Sequence, residues 1–235
     1  MSDRLYFRQW LSGRDTAHGD ELAKEMRNFA YALGDLVTKE AVLVDPAHAP
    51  GDLLAALADD GMTLVGVIAT HYHADHIGGT LMHGHYVAGI SELLAMQTVP
   101  VHVHAVEAPL VEEGTGVGIP PVVPHESGDV VMVGEIAITL LHTPGHTPGS
   151  QCLIVEGRLL TGDTLFLNGC GNTPWADAEE LYRTLHDRFR DLPDDLEVFA
   201  GHKYALRSSA TLGEVRASNA ALADVDYERW RALNG

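Results

Sequence analysis

The segment Thr70-His71-Tyr72-His73-Ala74-Asp75-His76 constrains this chain more than any other stretch. It packs three histidines and one aspartate into six residues, directly after Leu64 to Thr70, an apolar run with the look of a buried strand. In extended backbone His71 and His73 point the same way, because side chains repeat every two residues. They can therefore share one cation. Asp75 and His76 come as the chain turns, and a turn can aim them at a second cation nearby. So dense a cluster has no packing rationale, and its imidazoles would repel one another if charged.

Three more residues of the same chemistry follow. His146 lies in Thr143-Pro144-Gly145-His146-Thr147-Pro148-Gly149, Asp163 in Thr161-Gly162-Asp163-Thr164, and His202 in Ala200-Gly201-His202. Each sits just after a strand-like run, on a turn containing glycine. Strand ends along one edge of a sheet can converge although they are far apart in sequence. Neutral imidazoles and carboxylates suit zinc, iron or manganese. One carboxylate can bridge two cations about 3.5–4 Å apart, which can hold a bridging hydroxide as nucleophile.

Composition narrows the remaining classes. The 235 residues include 15 Lys plus Arg against 33 Asp plus Glu, a formal charge of −18. That balance lacks the basic footprint of a nucleic-acid or anionic-membrane binder. No apolar run is long enough for a membrane span, and Met1 to Trp10 holds no signal core. Two cysteines, Cys152 and Cys170, are too few for a disulfide scaffold. A cytoplasmic location is expected, with a small-molecule substrate; a homo-oligomer is compatible with the sequence.

Residues 26–33 and 41–44 read as early strands, and Gly51 to Asp60 as a short helix with Leu53, Leu54 and Leu57 on one face. Val101 to Ala105 alternates as a strand. Residues 109–128, with four prolines and four glycines, read as a long loop or lid. Strands are expected at 130–133, 136–141, 152–155, 158–160 and 197–200. Helices are expected at 90–96, 178–189, 209–219 and 224–233. Two such halves suggest two sheets covered by helices.

The motifs THYHADH at 70–76, TPGHTPGS at 143–150, TGDTLF at 161–166 and GHKY at 201–204 resemble those of the metallo-β-lactamase fold superfamily, in the same order. The resemblance implies one domain over residues 1–235, an α/β chain in a four-layer αββα sandwich with metals at one edge. It implies one site from His71, His73 and His146, a second from Asp75, His76 and His202, and Asp163 bridging. Within the superfamily the chain looks most like glyoxalase II thioesterases and persulfide dioxygenases. TGDTLF and Gly169-Cys170-Gly171 resemble the former; His73-Ala74-Asp75-His76 and GHTPGS look more like the latter. Both usually carry Lys or Arg directly after GCG, to hold a carboxylate of glutathione. Asn172 stands there in this chain. Tyr204 matches a substrate-contacting tyrosine of glyoxalase II.

The first reading is a hydrolase of a small thioester or ester, with two divalent ions, zinc before iron or manganese. A metal-bridging hydroxide attacks the carbonyl, and Asp75 orients it and accepts its proton. A lactonase would use the same machinery. The alternative is a persulfide dioxygenase with one iron on His71, His146 and Asp163, a two-histidine, one-carboxylate triad. The pairs His83/His85 and His102/His104 lack an accompanying acid and read as a polar sheet face or pocket rim. Asp45 reads as a turn residue or a support for the histidine loop.

Overall fold

The structure is a computed structural model, described here for residues 3–81, 84–115, 122–171 and 177–234. The first half runs β1 (Leu5–Leu11), α1 (Glu21–Met26), β2 (Phe29–Asp35), β3 (Glu40–Val44), α2 (Pro50–Asp59), β4 (Thr63–Ile68) and α3 (Ala74–Ile77). A short ribbon of β5 (Gly79–Thr80) and β6 (Tyr86–Val87) precedes α4 (Ile90–Met96), β7 (Val101–His104), α5 (Ala108–Thr115) and β8 (Val122–His125). The second half holds β9 (Val130–Val133), β10 (Ile136–His142), β11 (Gln151–Val155), β12 (Arg158–Gly162), α6 (Ala178–Arg183) and β13 (Glu197–Ala200). It ends with β14 (Ala210–Thr211), α7 (Leu212–Ser218) and α8 (Tyr227–Asn234).

Among the described residues these strands form two six-stranded sheets, ordered β1-β2-β3-β4-β7-β8 and β14-β13-β12-β11-β10-β9. In the first sheet β1, β2 and β3 pair antiparallel, and β3, β4, β7 and β8 pair parallel through crossovers. The parallel half explains the apolar Leu64–Ile68 run, since parallel strands are covered on both faces. Between the sheets lie Phe29, Tyr31, Leu33, Val44 and Ile68 from one side and Ile138, Leu140, Leu153 and Phe199 from the other. On the outer face of the first sheet, Leu53 and Leu57 of α2 and Leu93 of α4 pack against Val67 and Val101. On the outer face of the second, Leu181, Val215 and Trp230 of the later helices cover Leu159 and Val198. This is a four-layer αββα sandwich. Each fully buried leucine stabilises it by about 1.5–3 kcal/mol. No described helix is long and apolar enough to cross a membrane.

The structure corrects the reading of 109–128 as one long loop. Helix α5 and strand β8 lie within it; residues 116–121 are outside the described set. Pro109 sits in the first turn of α5, where its missing N–H costs nothing, and Val111 anchors that helix in the core. Pro124 is tolerated because β8 is an edge strand. The expected helix at 178–189 is α6 continued by a π-helical turn over Thr184–Arg188. Strand β1 and helix α1 were not expected from the sequence. β1 pairs along its whole length with β2, from Leu5↔Asp35 to Leu11↔Phe29.

Backbone hydrogen bonds stitch the sheets together at one edge. Phe29 N–H donates to the Gly201 carbonyl at 2.7 Å and Gln151 N–H to Thr70 at 2.9 Å, while within the second sheet Gly201 N–H donates to Gly162 at 2.7 Å. The histidine motif and its distant partners meet there.

Candidate metal centre

Strands β4, β10, β12 and β13 all end at this edge, and the loops that follow carry His71, His146, Asp163 and His202. His71 Nε2 and His146 Nε2 each lie 3.1 Å from His73 Nδ1. On the other side His76 Nε2 is 3.2 Å from His202 Nε2 and 3.4 Å from Asp75 Oδ2. Asp163 stands between the two groups. Its Oδ2 is 3.7 Å from His146 Nε2 and 3.3 Å from His202 Nε2, and its Oδ1 is 3.4 Å from His76 Nε2. All seven residues expected from the sequence come together, and six of them are buried, with His73 partly exposed.

The outer ring nitrogens show how the imidazoles are oriented. His202 Nδ1 donates to the Met26 carbonyl at 2.7 Å. His76 Nδ1 meets Asp45 Oδ2 at 3.0 Å. His71 Nδ1 lies 3.0 Å from Thr70 Oγ1, whose hydroxyl donates to Asp45 Oδ2 at 2.6 Å. Asp45 also accepts the Thr70 N–H at 2.8 Å. One buried carboxylate thus sets the tautomers of two histidines and leaves their Nε2 lone pairs facing inward. Asp45 adopts φ 51°, a left-handed conformation that aspartate tolerates better than most residues. With its oxygens occupied in this way, Asp45 is an orienting group.

Electrostatics separates the two groups. Burial, with His76 and His146 nearby, pushes His71 well below its ordinary value, and burial with His146 takes His73 down to about 4. Burial lowers His146 as well. Burial opposes charge on His76 and His202 too, but the carboxylates beside them prevail. Asp163 and Asp75 raise His76 well above its usual value, and His202 rises to about 9. Burial would raise Asp163 and Asp75, yet the adjacent His202 and His76 hold both carboxyls low. The pocket therefore favours positive charge between its carboxylates.

These observations fit divalent cations. Inward nitrogens at 3.1 Å from one another cannot all be satisfied by ring protons. Among the described residues, Asp163 Oδ1 is buried without a hydrogen-bond partner, so the donor set is not closed by the protein alone. Three groups offer converging ligand atoms within 4.8 Å: His71/His73/His146, Asp75/His76/His202, and the Asp45-containing set that includes His71 and His76. Gly201 permits the close approach; a Cβ there would press on Asp163 Oδ1 and lie 2.9 Å from His76 Cε1.

Three supporting residues were not legible in the sequence. Asn28 Nδ2 donates to Asp75 Oδ2 and to the Asp75 carbonyl, both at 3.0 Å, and Asn28 Oδ1 is 3.2 Å from His48 Nε2. Glu107 is fully buried beneath the His146 turn; its Oε1 accepts from Gly149 N–H at 2.8 Å and from the Thr147 hydroxyl. Burial raises its carboxyl above the ordinary range. None of these belongs to a spaced motif.

A recess of about 460 Å³ opens onto His73, Asp75, His146, Asp163 and His202. Tyr204 stands at its mouth, half exposed, stacked on His202 with ring centroids 4.9 Å apart and edge-on to Phe166 at the same distance. A larger cleft of about 760 Å³ adjoins it, bordered by Leu22, Tyr72, Leu81, His85 and Leu110. Of the two readings left open for His85, the structure places it on the border of this cleft; His83 and Asn172 lie outside the described residues. His102 and His104 lie away from this centre. His102 Nδ1 is 2.9 Å from His125 Nε2, and His104 stacks on His142 at 3.7 Å. Cys152 is core, and burial pushes the Cys170 thiol up to about 12, which leaves it a poor nucleophile.

Known proteins resemble this chain in sequence and fold. The chain is 32% identical over 198 residues to a hydroxyacylglutathione hydrolase of Rhodopseudomonas palustris (strain BisB18), covering 83% of this chain and 70% of that protein. It is 31% identical over 201 residues to the mitochondrial persulfide dioxygenase ETHE1 of Homo sapiens, covering 83% and 71%. The crystal structure of ETHE1 from Myxococcus xanthus superposes with a TM-score of 0.75 at 29% identity, over 97% of this chain and 89% of that one. The sequence profile of the metallo-beta-lactamase superfamily matches residues 27–202, and the chain belongs to that superfamily.

Proposed function

We propose that this chain is a metal-dependent hydrolase of a small thioester or ester. His71, His73 and His146 would hold one divalent cation, and Asp75, His76 and His202 a second, with Asp163 shared. The observation that carries this reading is the position of Asp163, whose two oxygens face nitrogens of both histidine groups at 3.3–3.7 Å. The second donor set, Asp75, His76 and His202, is as complete as the first and could hold a second cation. Zinc suits these ligands. When bound, the cations supply Lewis acidity and lower the pKa of a water held between them.

The chain's own groups perform the rest. Asp75 borders both the recess and the adjoining cleft and is held ionised, so its carboxylate can orient a water and take its proton. Asn28 holds Asp75 in place from behind, through two 3.0 Å hydrogen bonds. Tyr204 and Phe166 border the mouth and present aromatic surface to the substrate.

A second reading, persulfide dioxygenase, is favoured by the near-complete overlap with the Myxococcus xanthus ETHE1 structure, 89% of that chain. It would place one iron on His71, His146 and Asp163. Elemental analysis of protein purified without added metal and without oxygen separates the two. About two zinc or other divalent ions per chain, with thioester or lactone hydrolysis, supports the hydrolase. About one iron per chain, with oxygen uptake on persulfides and no hydrolysis, overturns it.

A further inference from the structure

Four of the fifteen lysines and arginines of this acidic chain meet in one cavity. Arg14, Lys24, Arg27 and Lys203 line a recess of about 370 Å³ together with Tyr204, and no Asp or Glu lines it among the described residues. Two of the four are already neutralised: Arg14 lies 2.6 Å from Asp15, and Lys24 lies 2.6 Å from Glu21. Arg27 and Lys203 have no ion-pair partner among the described residues. Lys203 Nζ reaches only the Leu206 carbonyl, at 3.3 Å.

The backbone sets these two cations side by side and next to the centre. Lys203 N–H donates to the Arg27 carbonyl at 2.9 Å. The neighbouring residues Asn28 and His202 form an antiparallel bridge. Each cation is therefore one residue from a member of the centre: Asn28 holds Asp75, and His202 faces Asp163. Arg27 also occupies a left-handed position, φ 59°, where glycine or asparagine would be the less strained choice. Tyr204 borders this basic recess, the histidine recess and the apolar cleft alike. The three spaces meet at one ring.

We infer that Arg27 and Lys203, with Arg14 and Lys24 beside them, bind the carboxylate or phosphate tail of the substrate. The reacting group lies across Tyr204, among the histidines and aspartates. The inference rests on the functional reading above for the reacting group, and on the basic recess alone for the anion. At net charge −18 the protein repels anions at long range, so a local patch of unpaired cations beside the centre is what reverses the sign for one end of a ligand.

The test uses the metal-loaded full chain and one acyl group carried on three thiols. N-acetylcysteamine is neutral, glutathione presents carboxylates, and coenzyme A presents phosphates. The wild type should prefer one of the anionic thioesters over the neutral one, and which one separates carboxylate from phosphate. Each of Arg27→Gln and Lys203→Gln should lower that preference about fivefold, and the double variant about 25-fold, mainly through KM. Arg27→Lys should retain it, and added salt should weaken it in the wild type. A preference untouched by the double variant would overturn the inference. If no thioester is hydrolysed, calorimetry with free glutathione and free coenzyme A reads the recess directly. Binding lost in the double variant supports the subsite even as the hydrolase reading fails. Binding of neither anion, or binding that the double variant leaves intact, rejects it.

Discussion

Two histidine-rich regions face different fates in this molecule. At the sheet edge, His71, His73, His76, His146 and His202 turn one nitrogen each inward, where Asp75 and Asp163 meet three of them, and His71, His76 and His202 anchor their outer nitrogens on Thr70, Asp45 and the Met26 carbonyl. Near β7, β8 and the end of β10, His102, His104, His125 and His142 contact one another in pairs instead. His102 meets His125 at 2.9 Å, His125 meets Asp129 at 3.3 Å, and His104 stacks on His142. Their acidic neighbours Glu126 and Asp129 are exposed. Among the described residues no three of these side chains offer converging ligand atoms. Density of histidine is thus not what makes a centre. Convergence of lone pairs, with buried carboxylates to balance charge, is the difference.

The largest effect should come from the residue shared by both halves of the first region. Asp163→Ala removes the carboxylate whose oxygens lie against inward nitrogens of both histidine groups. Elemental analysis should find most metal gone, and activity should fall by about 10³-fold or more. A variant that kept both would end the shared role assigned to Asp163. A smaller loss follows from the orienting layer. Asp45→Asn weakens the hold on His76 Nδ1 and on Thr70, and so on His71, without touching an inward nitrogen. Metal affinity should drop about 10–100-fold, measured by competition with a chelator. Unchanged affinity would mean that tautomer control by Asp45 is dispensable.

The contrast also explains what could be read from the chain alone. The inward-facing residues were legible because metal chemistry restricts residue type and because each follows a strand-like run on a glycine turn. The αββα layering followed from the resemblance those motifs carry, and most strands from apolar runs. The supporting layer was hidden. Asn28, His48 and Glu107 act through distance in space, and nothing about their sequence neighbours marks them. Strand β1 was missed because its burial pattern is irregular at a sheet edge, with only Tyr6 and Trp10 buried. The prolines and glycines of 109–128 masked α5 and β8, since their signal for a turn is the same at a helix start or on an edge strand.

Glu107 tests that hidden layer with an intermediate effect. It joins the turn carrying His146 to the segment after β7, through Thr147 and Gly149. Glu107→Ala would leave the Gly149 N–H without its buried acceptor, at about 1–3 kcal/mol, and the Thr147 hydroxyl with only Ser150 Oγ at 2.7 Å. We expect a lower Tm, measured by calorimetry, and about a tenfold loss of activity from displacement of His146. Loss of stability alone, with metal content and activity per folded molecule intact, would detach Glu107 from the centre.

The smallest effect belongs to the second histidine region and carries a defined sign. Burial, with His125 alongside, takes His102 from 6.5 down to about 4. The folded state therefore resists protonation that the unfolded chain accepts. Above pH 6.5 His102 is neutral in both states and contributes no pH dependence. Between about pH 6.5 and pH 4 the unfolded chain binds the extra proton, so stability falls as pH falls, and below that window the loss is complete. His102→Gln removes this slope while leaving metal content as it was. Comparing Tm for the two proteins at pH 7 and pH 5 isolates the effect, because proton uptake by the centre is common to both. The wild type should lose more Tm on acidification than the variant, by a few degrees at most. Equal losses would show that this region takes up protons without strain, and a loss of metal in His102→Gln would join it to the centre after all.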